Sequence, residues 1–509
     1  MRPNILLLLS DQHTPGVAGF AGDPLVQTPN LDRLAERSVR FDTASCASPV
    51  CTPSRMCLLT GKEPHRCAAW GNHWVIFPEH TTWPGHFAAH GYTTGLVGKM
   101  HFGGRDQMQG FEHRPYGDFH HGLSHQPEPL NMFPAYDGPQ SGGASEIPES
   151  LLQDVVVTRE TLAFILNHQS AEPSKPWFVC AGYSRPHSPF TAPARYIDRY
   201  RGRLPAPKLP DNHPENLDPY ARRMFDATYC NVSLDEAERG RVGYYACVDF
   251  LDDCIGDLLD GLGRHGALEN TIIIYTSDHG EMLGRYGLWG KGLYFEPSMG
   301  VPMTIAAPGV AGGQVVTHPV SLLDLFPTTC ALAGVPIADD LDGVDISALL
   351  QHGDQADAPR TFSPSAFYHY GVRTQFGRTA GDGDPNTAYR AVRTCDHKYV
   401  EVQGGRPLLF DMKSDPDETT NLADRPEHAD RCRAMRDMVF ANFSWHQVLE
   451  QLPEDRQRLE SFRSGVQPTT PNQYRLPDGR RFDAEASLYA ARWLPTPPNT
   501  GGIIPQEFG

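Results

Sequence analysis

Five short, strongly apolar runs constrain this chain more than any other feature: residues 4–9, 93–97, 177–181, 271–276 and 301–306. Each has strand length and none alternates apolar with polar, the pattern of a strand buried on both faces. Such a sheet needs helices on each side, and helical patterns fall between the runs. Residues 30–40 set Leu31, Leu34 and Val39 near one face. Residues 242–262 carry Tyr245, Val248, Leu251, Ile255, Leu258 and Leu259 at 3.6 spacing, with Gly263 and Gly266 as stops. Residues 322–333 form a shorter amphipathic run. The alternation predicts an α/β fold with a doubly wound, mostly parallel sheet flanked by helices.

After Gly334 the texture changes. Residues 366–404 and 407–410 read as short strands between Gly-rich turns, followed by a helix over 427–449. The expected division is a catalytic α/β domain at 1–365, a smaller α+β subdomain at 366–463 and an extended tail at 464–509. The tail is expected to wrap the domain or to meet a partner subunit in a homo-oligomer. Residues 118–143 read as a loop insertion.

A net charge of −17 opposes nonspecific binding to nucleic acid, and no apolar run has membrane-spanning length. The eleven cysteines are scattered without a C-x-x-C pair, which fits a reducing compartment. The apolar stretch near the N-terminus is too short for a secretory signal, so the expected location is cytoplasmic.

Chemistry concentrates at Cys51-Thr52-Pro53-Ser54-Arg55-Met56-Cys57-Leu58-Leu59-Thr60-Gly61. Pro53 suits a first helical turn and Gly61 a helix end, with Met56, Leu58 and Leu59 for one buried side. Unpaired N–H groups and the positive dipole end then face residue 51, and Arg55 adds a fork of donors. A nucleophile beside an anion cradle suits a sulfate or phosphate ester.

Two of the apolar runs deliver acids. One leads into Asp11-Gln12 and the other into Asp278-His279-Gly280-Glu281. If both strands are central, Asp11, Gln12, Asp278 and His279 converge on one sheet edge as a divalent-metal site, with residue 51 as a further ligand. An Asp after a strand is also a common helix cap or turn residue, so either pair alone leaves both readings open.

The string at residue 51 resembles, position for position, the sulfatase signature C-x-P-S-R-x-x-L-x-T-G. Further segments are similar to that family: Pro29-Asn30-Leu31-Asp32-Arg33-Leu34-Ala35, Gly98-Lys99-Met100-His101, Pro186-His187-Ser188-Pro189 and Asp324-Leu325-Phe326-Pro327-Thr328. The resemblance implies the alkaline-phosphatase fold and oxidation of Cys51 to Cα-formylglycine, whose hydrated aldehyde is the nucleophile. The pairs Asp11-Gln12 and Asp278-His279 depart from the commoner Asp-Asp and Asp-Asn, and resemble the branch of choline sulfatases and phosphonate monoester hydrolases. Gln12 removes one carboxylate and His279 supplies nitrogen, so calcium or manganese is the expected ion.

The resemblance also implies roles. Lys99, Arg55 and Lys291 hold the charged oxygens, His187 protonates the leaving alcohol, and His101 takes a proton from the nucleophile's second hydroxyl. Lys99, His187 and Lys291 contact the substrate. His113, His120, His121, Tyr183 and Trp289 are candidate pocket residues by proximity in sequence. A small sulfate ester is the expected substrate, with choline sulfate a candidate, and a formylglycine-generating enzyme is the expected maturation partner. Two rivals stay open: a phosphonate or phosphate ester hydrolase, and a noncatalytic anion-binding protein with an unmodified thiol at 51.

Overall fold

The computed structural model describes residues 2–72, 74–103, 106–117, 138–207, 209, 214–226, 232–368, 383–463, 473–475 and 481–483. An eight-stranded sheet runs in the order Gln314–Val316, Val39–Phe41, Met303–Ala306, Thr271–Ser277, Asn4–Asp11, Trp177–Pro186, Thr93–Gly98, His113–Tyr116. Met303–Ala306 is antiparallel to both neighbours, and every other pair is parallel. The aliphatic run Ile5 to Leu9 sits at the centre, fully buried, with Leu7 level with Ile274 on one side and Cys180 on the other.

Helices cover both faces. Phe178 meets Trp83 of the helix Trp83–Ala89, with ring centroids 4.8 Å apart. Tyr183, of opposite parity in the same strand, meets Thr158 of the helix Gln153–Ala171 at 3.2 Å. The helix Leu234–Arg264 packs beside Gln153–Ala171 and opens with a capping box between Ser233 and Glu236. The doubly wound α/β expectation holds.

Several boundaries differ. The helix expected over 30–40 is Pro29–Glu36, and Val39–Phe41 leaves it to join the sheet with Val39 and Phe41 buried and Arg40 between them half-buried. The helix expected over 427–449 is two, Ala429–Phe440 and Trp445–Arg463. Between them, Asn442 accepts from Arg390 at 3.1 Å, and Phe443 lies 4.7 Å beneath the same guanidinium, so the chain turns to plug that site.

The C-terminal part is a four-stranded antiparallel sheet of Ser363–Tyr368, Ala388–Arg393, His397–Val402 and Leu408–Asp411. The expected boundary at 365 falls inside its first strand, and we propose to draw it ahead of Ser363. Ala366, Tyr389, Val400 and Phe410 belong to the same continuous core as Ile5, while Val392, Leu409, Met435 and Val439 form a small second one with Tyr399. Of the tail, Gln473–Arg475 and Arg481–Asp483 pair as a hairpin beside His113–Tyr116. The rest of the tail and its expected oligomer contact, most of the 118–143 insertion, and His120 and His121 lie outside the described residues.

Candidate active site

Because Asn4–Asp11 and Thr271–Ser277 are parallel neighbours with Ser10 level with Ser277, Asp11 and Asp278 leave the sheet together at its carboxyl edge. Gln12 turns away in the left-handed region at φ 67, and its N–H donates to Asp278 Oδ1 at 3.0 Å. Tyr244 of the long helix steadies the turn, donating to the Gln12 carbonyl at 2.7 Å and accepting the Thr14 N–H at 2.8 Å.

The expected helix at residue 51 is Cys51–Thr60, preceded by extended Val50 and stopped by left-handed Gly61. All ten of its residues are buried, not one side as its pattern suggested. The polar positions are used inward. Ser54 Oγ donates to the Asp278 carbonyl at 2.5 Å, and the Thr52 N–H, one of the free donors of the first turn, goes to Asn72 Oδ1 at 3.1 Å.

Arg55 donates from Nε to Asp278 Oδ2 and from Nη2 to Asp11 Oδ2, each at 2.9 Å, and from Nη1 to the Lys99 carbonyl at 3.1 Å. We propose that Arg55 serves to position these carboxylates rather than to grip the ester. Its fork holds two buried carboxylates side by side, which would otherwise repel in a site shut from water.

Lys99 follows the strand Thr93–Gly98 and places Nζ 2.7 Å from Asp11 Oδ2. Gly98 permits this: its φ is 87, and a Cβ there would lie 2.2 Å from the Gly182 carbonyl. Burial works against ionisation of Asp11, but Lys99, His187, Arg55 and Lys291 outweigh it and hold the carboxyl well below its usual range.

The Cys51 sulfur lies 3.3 Å from His279 Nε2, 3.0 Å from Lys291 Nζ and 3.9 Å from Asp11 Oδ1. His101, at left-handed φ 53, and His187 also hydrogen-bond it. Burial and Asp11 oppose a thiolate, yet Lys291, His279 and His101 pull the thiol well below its ordinary value. Lys291 stands between left-handed Gly290 and Gly292, and also donates to Gln12 Oε1 at 2.5 Å. His187 donates from Nδ1 to the Ser188 carbonyl at 2.5 Å, leaving Nε2 toward Asp11 and the sulfur. Burial, with Lys291 and Lys99, lowers it to about 4.

The residues present fit a divalent ion. Asp11, Cys51, Asp278 and His279 each offer a ligand atom, all within 4.8 Å of one another. His279 gives its Nδ1 proton to the Gly280 carbonyl at 2.9 Å, so the Nε2 lone pair faces the cluster. Burial alone would lower its pKa, but Asp278 and the thiol raise it.

All ten expected site residues, Asp11, Gln12, Cys51, Arg55, Lys99, His101, His187, Asp278, His279 and Lys291, meet here. The candidate pocket residues do not all follow. Tyr183 is a core residue, fully buried against Thr158, and His113 packs its ring 5.4 Å from Phe164 at the far strand. Trp289 is buried beside Phe190. Two supports were not read from the sequence. Glu281, buried, accepts from Gln12 Nε2, and Asp154 accepts the N–H groups of Ser184 and Arg185 just before His187. An acid two residues beyond the Asp278-His279 pair is the signal that the sequence offers for Glu281.

Residues 3–335 match the family described as Sulfatase, and residues 284–442 match N-sulphoglucosamine sulphohydrolase, C-terminal. A choline-sulfatase of Rhizobium meliloti is 30% identical over 496 residues, covering 91% of this chain and 92% of that protein. An ulvan-active sulfatase of Formosa agariphila is 31% identical over 444 residues, 84% of this chain and 78% of that protein. A phosphonate monoester hydrolase of Agrobacterium radiobacter shares the fold, with a TM-score of 0.73 at 22% identity over 95% of this chain and 99% of that one. The family match begins just ahead of the first strand and runs past the helix ending at Ala333, and relatives at 30% identity align over most of their length, so the chain belongs to the sulfatase family of sulfuric ester hydrolases, within the alkaline-phosphatase superfamily.

Proposed function

We propose that the chain hydrolyses a small sulfate monoester, using residue 51 as nucleophile after its oxidation to Cα-formylglycine. In this reading Asp11, Gln12, Asp278, His279 and residue 51 hold one divalent ion, calcium or manganese. The observation that carries it is the Cys51 sulfur, at a helix N-terminus and in reach of Lys291, His279 and Asp11 at once. When bound, the ion supplies Lewis acidity toward the nucleophile and the ester oxygens. Formylglycine supplies a second hydroxyl, and with it an exit that a serine lacks.

The chain's own side chains do the rest. Lys99 and Lys291 offer fixed positive charge to the ester's oxygens in a site shut from water. Arg55 is a positioning residue that keeps the two carboxylates in place. His187, its Nδ1 proton committed to Ser188, presents Nε2 to the departing alcohol as general acid. The ester's negative charge opposes Lys291 and Lys99 and so favours the proton His187 needs. His101, on the same sulfur, takes a proton from the side chain at 51.

The choline-sulfatase relative makes choline sulfate the first candidate, with other small alkyl or aryl sulfates behind it. A second reading, hydrolysis of phosphonate or phosphate esters, draws on the Gln12 and His279 pair. Free cysteines at all ten described positions support a reducing compartment, the cytoplasm in our reading, and no helix among the described residues is long and apolar enough to cross a membrane. A formylglycine-generating partner and a homo-oligomer contact through 464–509 belong to the same reading.

Intact mass tests the nucleophile, since conversion removes about 18 Da. Side-by-side turnover of choline sulfate, a nitrophenyl sulfate and a phosphonate monoester tests the substrate. Faster turnover of the phosphonate than of either sulfate favours the second reading.

A further inference from the structure

We propose that Glu281 is the positioning residue that decides which atom of the Gln12 amide faces the divalent ion. The inference rests on the metal-site reading above. Glu281 lies two residues beyond His279 and is fully buried. Its Oε2 accepts Gln12 Nε2. Its Oε1 accepts the backbone N–H groups of Leu283 at 3.0 Å and Gly290 at 2.5 Å.

The far end of the same amide is held by the opposite charge. Gln12 Oε1 accepts from the Lys291 ammonium at 2.5 Å, and that ammonium reaches the Cys51 sulfur at 3.0 Å. The amide is clamped between an anion on its nitrogen and a cation on its oxygen. Turning it over would set NH₂ against the ammonium and C=O against the carboxylate. Only the oxygen can ligate a hard cation, because an amide NH₂ has donors and no lone pair to offer. Glu281 therefore keeps a neutral side chain usable as a ligand.

The two backbone bonds do a second job. Leu283 and Gly290 bracket the loop that leads to Lys291, and one carboxylate oxygen ties its two ends together. A carboxylate that merely closed this turn would explain those bonds but not the bond to Gln12. The pairing is also specific to glutamine at position 12. A carboxylate there would face Glu281 across a hydrogen-bond distance in a dry site, where two like charges cannot both persist.

The test is calorimetric titration of Ca²⁺ and Mn²⁺ into metal-stripped protein, a readout independent of turnover. Glu281→Gln should bind each ion about 10- to 100-fold more weakly than wild type, the usual effect of removing a residue that orients a ligand. The swap Gln12→Glu with Glu281→Gln should regain most of that loss, because the amide at 281 then donates to one oxygen at 12 and leaves the other for the ion. Gln12→Glu alone should bind more weakly than the swap, and this comparison stands even if Glu281→Gln does not fold. Affinity of Glu281→Gln within about twofold of wild type would overturn the inference, as would a swap no tighter than Gln12→Glu. Asp278→Ala separates the two levels. If it abolishes binding while Glu281→Gln changes nothing, only the role of Glu281 falls; if wild type binds no ion, the metal reading falls as well.

Discussion

Arg55 Nε meets Asp278 Oδ2 at 2.9 Å with both side chains cut off from water, and Nη2 of the same guanidinium meets Asp11 at the same distance. The signature arginine is the bracket between two strand-end carboxylates. Removing it leaves buried charge uncompensated, which typically costs about 3–5 kcal/mol. Arg55→Ala should unfold at a markedly lower temperature than wild type in chelator, and a divalent ion should recover more of the loss in the variant than it adds to wild type. Arg55→Lys should fall between, since one ammonium cannot span both acids with a planar fork. A wild-type unfolding midpoint for Arg55→Ala in chelator would mean that the bracket is unimportant.

Cys51→Ala and Cys51→Ser should both lose nearly all turnover. Serine can be sulfated at best once, because it lacks the second hydroxyl that releases sulfate. The serine variant should therefore gain the mass of one sulfuryl group on incubation with substrate and stop there. Multiple turnover near the wild-type rate would rule out the aldehyde mechanism.

Stripping divalent ions should abolish turnover and lower the unfolding midpoint, and readdition should restore both. An ion that binds only the folded chain adds about 2.7 kcal/mol at a hundred times its dissociation constant. Full activity in protein that elemental analysis finds free of calcium and manganese would sink the metal site.

The centre of the fold is legible in the amino-acid sequence because it rests on local patterns, and the residues gathered at the sheet edge are reached partly from strand-end acids and partly from the family resemblance. Ile5 to Leu9 has no polar residue to place outward, so it belongs at the centre of the sheet, and the acid after it belongs at a sheet edge. What is not legible depends on which way a side chain turns. Tyr183 follows an apolar run near the site, but strand parity points it at Thr158 on the helix-covered face. Arg55 carries a visible charge in the sequence, but nothing there shows the two acids that claim it. The bond from Gln12 to Glu281 needs a left-handed turn at 12 and a glycine-hinged loop before 291, neither of which has a periodic signature. Val39–Phe41 reads as the end of a helix because three residues are too few to show a period.

Asp252 supplies a pH test away from the site. Its Oδ2 and Oδ1 accept the N–H groups of Asn30 and Leu31 at 3.0 and 2.7 Å, capping the helix Pro29–Glu36. Burial pushes its carboxyl up to about 7, against the pull of those bonds. The folded chain thus binds this proton more tightly than the unfolded chain, whose value is about 3.9. Its contribution to stability is full below about pH 4 and is lost as pH rises through about 7. Asp252→Asn removes the titration and keeps an acceptor. The difference in unfolding free energy should shift toward the variant, by a few kcal/mol at most, between about pH 4.5 and about pH 7.5. A difference that stays constant over that range refutes the assignment.

The leaving group gives the sharpest test of His187. A general acid matters most when the departing alcohol is a poor leaving group. Nitrophenolate departs without help, whereas an alkoxide needs a proton as the sulfur–oxygen bond breaks. His187 reaches the site from the loop after Trp177–Pro186, with Nδ1 anchored on Ser188 and Nε2 directed at Asp11 and residue 51. His187→Ala should therefore cost roughly 10²–10⁴ in kcat/KM on an alkyl sulfate such as choline sulfate, and far less on a nitrophenyl sulfate. His101→Ala should differ in kind. It should slow release of sulfate from residue 51 for both substrates, so that sulfated enzyme builds up and an initial burst of alcohol appears. Equal losses for His187→Ala on both leaving groups would assign the proton to another residue, and His101 would be the first to examine by the same pair of substrates.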